Sequence, residues 1–493
     1  HQEHHLPVAA KQLTTRTSCR SRLAGEGVLM GAASLKAAFA AVRRSNKVGS
    51  PHHSPYSSFR RVLHPPALTS PFIKSILGPP SRIESALMTH ALPAAEKSSI
   101  ILLLMTMTLL AVFPLDVVLP SFPALTDHFQ ISPPDTALSV SLFAVSLAMS
   151  VMLVGPLSDM WGRKKLLLGG IAIAAIGAIG CVVASDYRWF LGFRMLQAIG
   201  CGAFSLSQAL IQDLFAGRER ERLRIWMVTA GGVFISISPL LGTWLQSHLG
   251  WQGSFYVFIT LAVIVWLGAY RRLNEIPPVH LTPSKGFFSA YWRLCSDVRF
   301  MGYWLISALA FACHFSFIVS SPIIFMERLA LSPYEFAWAL LLYGVAYVLG
   351  GVLASVLHRH LQANTQIIIG LGLIAISGGV MLLLTRHFGV SAVTVLISML
   401  ICTIGTTIAR PIVNSKAMNL FPENAGASTS VGAMLIFMFG GVISLVINRI
   451  PEDLTTTLAL GFLTLSITGL GLNALISRRT SRRSELARDG RQR

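Results

Sequence analysis

Twelve stretches of this chain are apolar for long enough to cross a lipid bilayer, and that repetition leaves few folds open. "SIILLLMTMTLLAVFPLDVVLP" and "KLLLGGIAIAAIGAIGCVVAS" are representative. Each matches the roughly 20 residues of helix that the hydrocarbon core requires. The predicted spans are 98–120, 136–157, 166–184, 189–211, 224–246 and 252–270, then 300–324, 337–357, 366–384, 391–413, 424–448 and 455–476. Only 12% of the 493 residues are charged, against roughly 25% in a soluble domain, so the chain lacks the polar groups to coat a globule. A polytopic, all-α membrane protein is expected.

The organisation follows from what separates the spans. Residues 98–270 and 300–476 form two sets of six, joined by a polar cytoplasmic linker, 271–299, whose "NEIPPVHLTPSK" carries a Pro pair suited to a flexible connection. Residues 1–87 are rich in His, Ser, Pro and Arg with only three acidic residues. They are expected to lie outside the fold, as an overextended, disordered reading frame or as an organelle transit peptide. Residues 477–493 form a basic tail. Loops two, four, six, eight and ten carry most of the Lys and Arg, whereas the first and fifth loops have none. This places both termini in the cytoplasm. It also assigns the net charge of +19 to membrane orientation rather than to a nucleic-acid partner. The six cysteines are scattered, with no C-x-x-C and no metal-ligand spacing, so neither a metal site nor a disulfide framework is implied.

Between the second and third spans the chain reads "GPLSDMWGRKK". A plain positively charged turn needs only a few Lys. Here Gly155, Leu157, Asp159, Gly162, Arg163 and Lys164 stand at fixed spacing, the glycines allowing chain reversal and close helix contact. Asp159 is placed to meet helix N-terminal amides or the basic cluster. This pattern resembles that of the major facilitator superfamily in the same loop. The resemblance covers about residues 98–476. It implies two six-helix bundles around a central cavity, alternating access, and a latch at Gly155, Asp159, Gly162, Arg163 and Lys164 that breaks as the bundles move.

Three further stretches resemble the twelve-span drug:proton antiporters of that superfamily, including bicyclomycin-resistance-like exporters. In "LLAVFPLDVVLPSFPAL", Asp116 is the sole ionisable group between Ile100 and Pro120, about 6 Å along the helix from the outer end. A carboxyl there can take up a proton outside and release it inside, pair with a cationic substrate, or simply reach interfacial water. In "FLGFRMLQAIGCGAF", an in-span Arg194 is costly unless it faces the bundle interior. It is either a proton-coupling residue or a structural arginine bonded to backbone carbonyls, with Gln197 one turn on. In "GGVFISISPLLGTWL", Pro239 and Gly242 fit the antiporter packing motif of the fifth span, while Ser238 and Thr243 depart from it. Asp213, ahead of "GRERERLR", is read as an ion-paired cap, and Arg410, before Pro411, as either an intramembrane functional residue or a cytoplasmic anchor, the anchor being favoured.

The resemblance implies a proton-coupled multidrug efflux transporter with Asp116 and Arg194 as the proton-coupling residues. Its expected substrate cavity is lined by Asp116, Phe143, Gln197, Phe204, Phe234, His314 and Tyr343. His314 is a candidate proton carrier or simply a packed, hydrogen-bonded histidine. Export of one metabolite, such as a siderophore or amino-acid derivative, is the alternative on the same scaffold, and a non-transporting receptor a remote one. The implied partners are a small-molecule substrate, protons and lipid. The implied setting is a monomer in a bacterial inner membrane without a cofactor. Within residues 98–476 no nucleophile–base pairing, H-x-x-x-H or phosphate-binding glycine loop marks an enzyme.

Overall fold

In hydrocarbon every backbone N–H and C=O must be satisfied within the protein, so an apolar stretch of some twenty residues has the helix as its outcome. The computed structural model describes residues 94–274, 286–450 and 453–492; the extension 1–87 and part of the linker lie outside them. Among the described residues, eleven helices are long and apolar enough to cross a membrane. The expected fourth span completes twelve, running Tyr187–Cys201, Gly202–Ser205 and Leu206–Leu214 as a helix interrupted by one 3₁₀ turn. The first half comprises Ala94–Asp116 with its continuation Phe122–Phe129, then Pro133–Trp161, Arg163–Val183, the interrupted fourth span, Gly217–Leu249 and Gly253–Arg272. The second half comprises Val298–Pro322, Pro333–His360, Ala363–Phe388, Ala392–Asn419, Ala425–Asn448 and Leu454–Gln492.

Several helices outrun their sequence-based limits because polar residues cap them. Ser332 and Glu335 form a capping box at the eighth span, as Ser391 and Thr394 do at the tenth. The region 271–299 departs further from expectation, since Gly286–Ser296 is a helix. It is amphipathic: Leu294 and Tyr291 are buried against the seventh and eleventh spans, while Trp292 is exposed.

Two spans break where one continuous helix is expected. The first stops at Asp116, passes through a 3₁₀ turn at Leu119–Ser121 and resumes at Phe122. Proline explains it: Pro120 and Pro123 lack the N–H that a continuing helix would donate. The fourth span tightens at Gly202 because the second span presses on it. A Cβ on Gly202 would stand 2.1 Å from Ser150 Oγ, and that hydroxyl donates to the Ile199 carbonyl at 2.6 Å.

Within each half the same pairings recur: third span with fourth and sixth, ninth with tenth and twelfth, first with fifth, seventh with eleventh. The halves meet along two seams, second span on eleventh and fifth on eighth. At the end carrying the first loop, both seams are tight. Ser141 donates to Ser444 at 3.2 Å, and Thr243 donates to the Pro333 carbonyl at 3.1 Å. Phe129, Phe190 and Trp251 pack their rings together at the same end. Toward the second-loop end the fifth and eighth spans loosen, and a Cβ on Gly231, Gly232 or Gly351 would meet nothing within 4 Å.

Candidate functional site

The break in the first span creates the site. Because the helix ends at Asp116, the Pro114 carbonyl loses the donor that another helical turn would bring. Arg194 of the fourth span supplies the replacement, with Nη2 donating to that carbonyl at 2.9 Å and Nη1 donating to Gln197 Oε1 at 2.8 Å. The guanidinium is wholly buried, with Phe143 of the second span 4.6 Å and Phe255 of the sixth span 5.6 Å from it as cation–π faces. A cavity of about 10 Å³ adjoins it, lined by Phe113, Val118, Ser254 and Phe258 among others, and Nε of Arg194 is buried without a hydrogen bond. Asp116, two residues from the bonded carbonyl, is half-buried. It makes no hydrogen bond or ion pair among the described residues. The arginine thus holds the backbone that carries the carboxyl, not the carboxyl itself.

The remaining predicted cavity residues fall into separate groups. Phe143 is fully buried as the cover of Arg194, and Gln197 is its acceptor. Phe204 is fully buried against Phe258 inside the first half, so it lines no open cavity. Phe234 is half-buried and stacks on Phe113 at 6.0 Å, close to the broken span. His314 and Tyr343 belong to the second half, where Tyr343 Oη lies 3.0 Å from His314 Nδ1. Phe311 stacks beside His314, and Arg410 of the tenth span lies 4.8 Å over its ring.

Of the two readings of Arg410, its position fits the intramembrane one and not the favoured cytoplasmic anchor. Side chains on a helix lean toward its N-terminus, and the tenth span starts at the first-loop end. The guanidinium is thus carried back into the bundle, onto Phe311, rather than out to water.

At the second-loop end, the glycine-rich turn forms a small network. Gly162 has φ of 93°, a left-handed conformation that glycine adopts without strain, and it turns the chain between the second and third spans. Arg163 pairs with Asp159 at 3.2 Å, pairs closely with Asp213 of the fourth span, and donates to Ser158 at 3.1 Å. Lys164 donates to the Tyr270 carbonyl at 2.8 Å. Asp213 is thereby an ion-paired cap, as its position suggested. A Cβ on Gly155 would lie 3.6 Å from Ser430 Oγ of the eleventh span, in ordinary contact. Tyr291 of the linker helix shares a hydrogen bond with Ser430, and burial raises its phenol above the usual range. Nothing in the sequence patterns tied Tyr291 to this turn. Its register on an amphipathic helix, opposite the exposed Trp292, was the available signal.

The fifth-span motif sits where the broken first span turns. A Cβ on Gly242 would stand 2.3 Å from the Val117 carbonyl and 3.1 Å from the Pro120 ring. Ser238, one of the departures from the pattern, is buried and donates to the Ile235 carbonyl at 2.9 Å. An apolar groove of about 610 Å³ lies apart from all of these groups, between the second, third and fourth spans. Exposed Met149, Leu153 and Ile173 line it.

Residues 104–445 match the family model described as Major Facilitator Superfamily. The chain is 27% identical to a chloramphenicol resistance protein of Pseudomonas aeruginosa over 386 residues, covering 76% of this chain and 90% of that one. It is 23% identical to a bicyclomycin resistance protein homolog of Haemophilus influenzae, over 73% of this chain and 92% of that one. Among solved structures it resembles a D-xylose–proton symporter with a TM-score of 0.62 at 16% identity, covering 77% of this chain and 96% of the symporter. That likeness is one of fold.

Proposed function

The chain belongs to the major facilitator superfamily, and from that premise we propose that it exports drugs or similar small organic molecules in exchange for protons. Both termini face the cytoplasm in this reading, as the loop charges require, so the tight first-loop end is the outer one and the loosened fifth–eighth seam opens inward. The observation that carries the proposal is Asp116: a carboxyl without a hydrogen bond or ion pair among the described residues, at the break of a membrane span. An ionisable group placed so deep is expensive unless it serves a path for ions or substrate. The resistance proteins to which the chain is similar point to export of toxic organic compounds.

In the mechanism that follows, a proton from outside binds Asp116 while the outer end is open. Neutralising the carboxyl removes the charge that opposes its enclosure, and the halves rock about their seams to open inward. Loss of the proton to the cytoplasm is followed by capture of substrate, and the return of the halves to the outward-open state releases the substrate outside and completes the exchange. Arg194 is a positioning residue, fixing the first-span break so that Asp116 stays at one depth in both states. The Asp159–Arg163–Asp213 network holds the second and fourth spans together as the halves move.

The test uses inverted membrane vesicles loaded by an imposed pH gradient, with chloramphenicol as the probe. Wild-type protein should accumulate it in a gradient-dependent manner, and Asp116→Asn should abolish that dependence. Unaltered gradient-driven transport in Asp116→Asn refutes the role given to this carboxyl.

A further inference from the structure

Two arginines enter membrane spans, and their surroundings differ in a way that bears on cargo. Arg194 is held from within: its two terminal nitrogens are bonded to Pro114 and Gln197, and two aromatic rings cover it. Arg410 has neither an acidic partner nor a hydrogen-bond acceptor among the described residues. Its contact is the Phe311 ring at 4.8 Å, with Tyr347 of the eighth span nearby. Nε of Arg410 is buried and unbonded, and one turn further along the same helix Asn414 Oδ1 is buried and unbonded too. The two terminal nitrogens also have no acceptor among the described residues, although they are not fully buried as Nε is.

Depth places this group where a substrate passes. Arg410 is about 27 Å along its helix from Ala392, and its backward lean brings the guanidinium to the level of Phe311, near the middle of the seventh span. The seventh, eighth, tenth and eleventh spans all contribute here, through Phe311, Tyr347, Arg410 and Phe437. A guanidinium held without a counter-charge at this depth is costly, so retaining one demands an acceptor that arrives from outside the chain.

We propose that Arg410 and Phe311 form a binding site for the acceptor end of the cargo. The ligand class is a small aromatic or conjugated molecule bearing a planar two-oxygen group, a carboxylate first of all. The guanidinium presents two parallel N–H donors to such a group, and Phe311 with Tyr347 provides ring faces for the body of the molecule. The proposal rests on the export reading above and names the chemistry that reading leaves open. It sets an acceptor-reading pole in the second half against the carboxyl of Asp116 in the first.

Three probes that share one ring system isolate the head group: 2-naphthoate, 2-naphthamide and 2-naphthylmethylammonium. Their binding to purified protein in lipid nanodiscs is read by fluorescence anisotropy without a pH gradient. Wild-type protein should bind naphthoate at least ten-fold tighter than the ammonium probe. Arg410→Gln should lose at least ten-fold for naphthoate and leave the other two unchanged, and Arg410→Lys should recover part of the loss. Because Arg410→Gln removes an unneutralised charge from the membrane interior, its thermal stability should not fall, which keeps the comparison valid. Naphthoate bound no tighter than naphthamide, or equal losses for all three probes in Arg410→Gln, overturns the proposal. Gradient-driven chloramphenicol transport is scored separately, in inverted membrane vesicles. Head-group selectivity without transport would sink the export reading alone, and transport without selectivity would sink this site alone.

Discussion

Replacing Arg194 separates charge from geometry. In the structure its guanidinium makes two charge-assisted hydrogen bonds, to Pro114 O at 2.9 Å and Gln197 Oε1 at 2.8 Å. Each such bond contributes about 1.5–3 kcal/mol. Arg194→Met removes both and leaves the buried Pro114 carbonyl unsatisfied, but it also relieves the desolvation of a buried ion, which is itself several kcal/mol. Methionine retains contact with Phe143 and Phe255. The net cost is about 2 kcal/mol. Arg194→Lys preserves the charge, yet an ammonium on a single stem cannot span two acceptors set at the fork of a guanidinium. It keeps the desolvation cost and forfeits at least one bond, so it should be destabilised by as much as the methionine variant or more. The chain carries its own reporter: Cys181, Cys201, Cys313 and Cys402 are buried, so a thiol-reactive fluorophore records their exposure on heating, above a baseline from exposed Cys295. Both variants should melt several degrees below wild type, with lysine no better than methionine. A lysine variant as stable as wild type would show that charge, not the bridge to Pro114, is what the fold uses, and the positioning role of Arg194 would be refuted.

Two further outcomes follow from contacts at the ends of the spans. Gly242→Ala sets a Cβ 2.3 Å from the Val117 carbonyl, a backbone atom that cannot swing aside, so the first and fifth spans must part by about 1 Å; the cost is about 1–3 kcal/mol, read as a lower melting temperature, whereas Gly231→Ala, which meets nothing within 4 Å, should melt as wild type does. For the loop network, Asp213→Asn and Arg163→Gln should each slow transport several-fold, and a double-mutant cycle should return a coupling of about 1 kcal/mol in stability, since the pair is partly exposed; strictly additive effects would show that the contact does not link the second and fourth spans.

The architecture is legible in the sequence because one scalar, the length of an apolar run, decides it: in a bilayer a run that long has no competing secondary structure. The residues of the network between the second and third spans are legible because their spacing exceeds what a charged turn needs, and Asp213 because it faces a run of arginines. Side-chain partners are not. Phe143 and Phe204 look alike as in-span aromatics, but one covers a guanidinium and the other packs on Phe258; periodicity does not distinguish the cavity side of a helix from its neighbour side in a protein that is apolar on both. The linker helix Gly286–Ser296 was missed because Pro277, Pro278 and Pro283 dominate the composition of the region, although all three precede the helix.

The contrast between Arg194 and Arg410 shows what a single sequence leaves undetermined. Each is one arginine in one apolar span, and the membrane charges both the same desolvation cost. What separates them is the backbone of a different helix. Pro114, Pro120 and Pro123 end the first span beside Arg194, and the carbonyl set free at that break becomes its acceptor. The seventh span beside Arg410 runs unbroken from Val298 to Pro322, so its carbonyls at that level are consumed by its own helix and it offers an aromatic face instead. An arginine next to a broken helix is thus held by the fold, and an arginine next to an intact one remains available to a ligand. Extending the first helix past Asp116 by Pro120→Ala, which gives the Asp116 carbonyl its helical donor, should shift Arg194 toward the second condition: the Val118 amide is then placed to donate to the Pro114 carbonyl, and the guanidinium loses that acceptor. The expected result is loss of the stability difference between Arg194→Met and its parent when both carry Pro120→Ala. If that difference persists undiminished, the break is not what anchors Arg194.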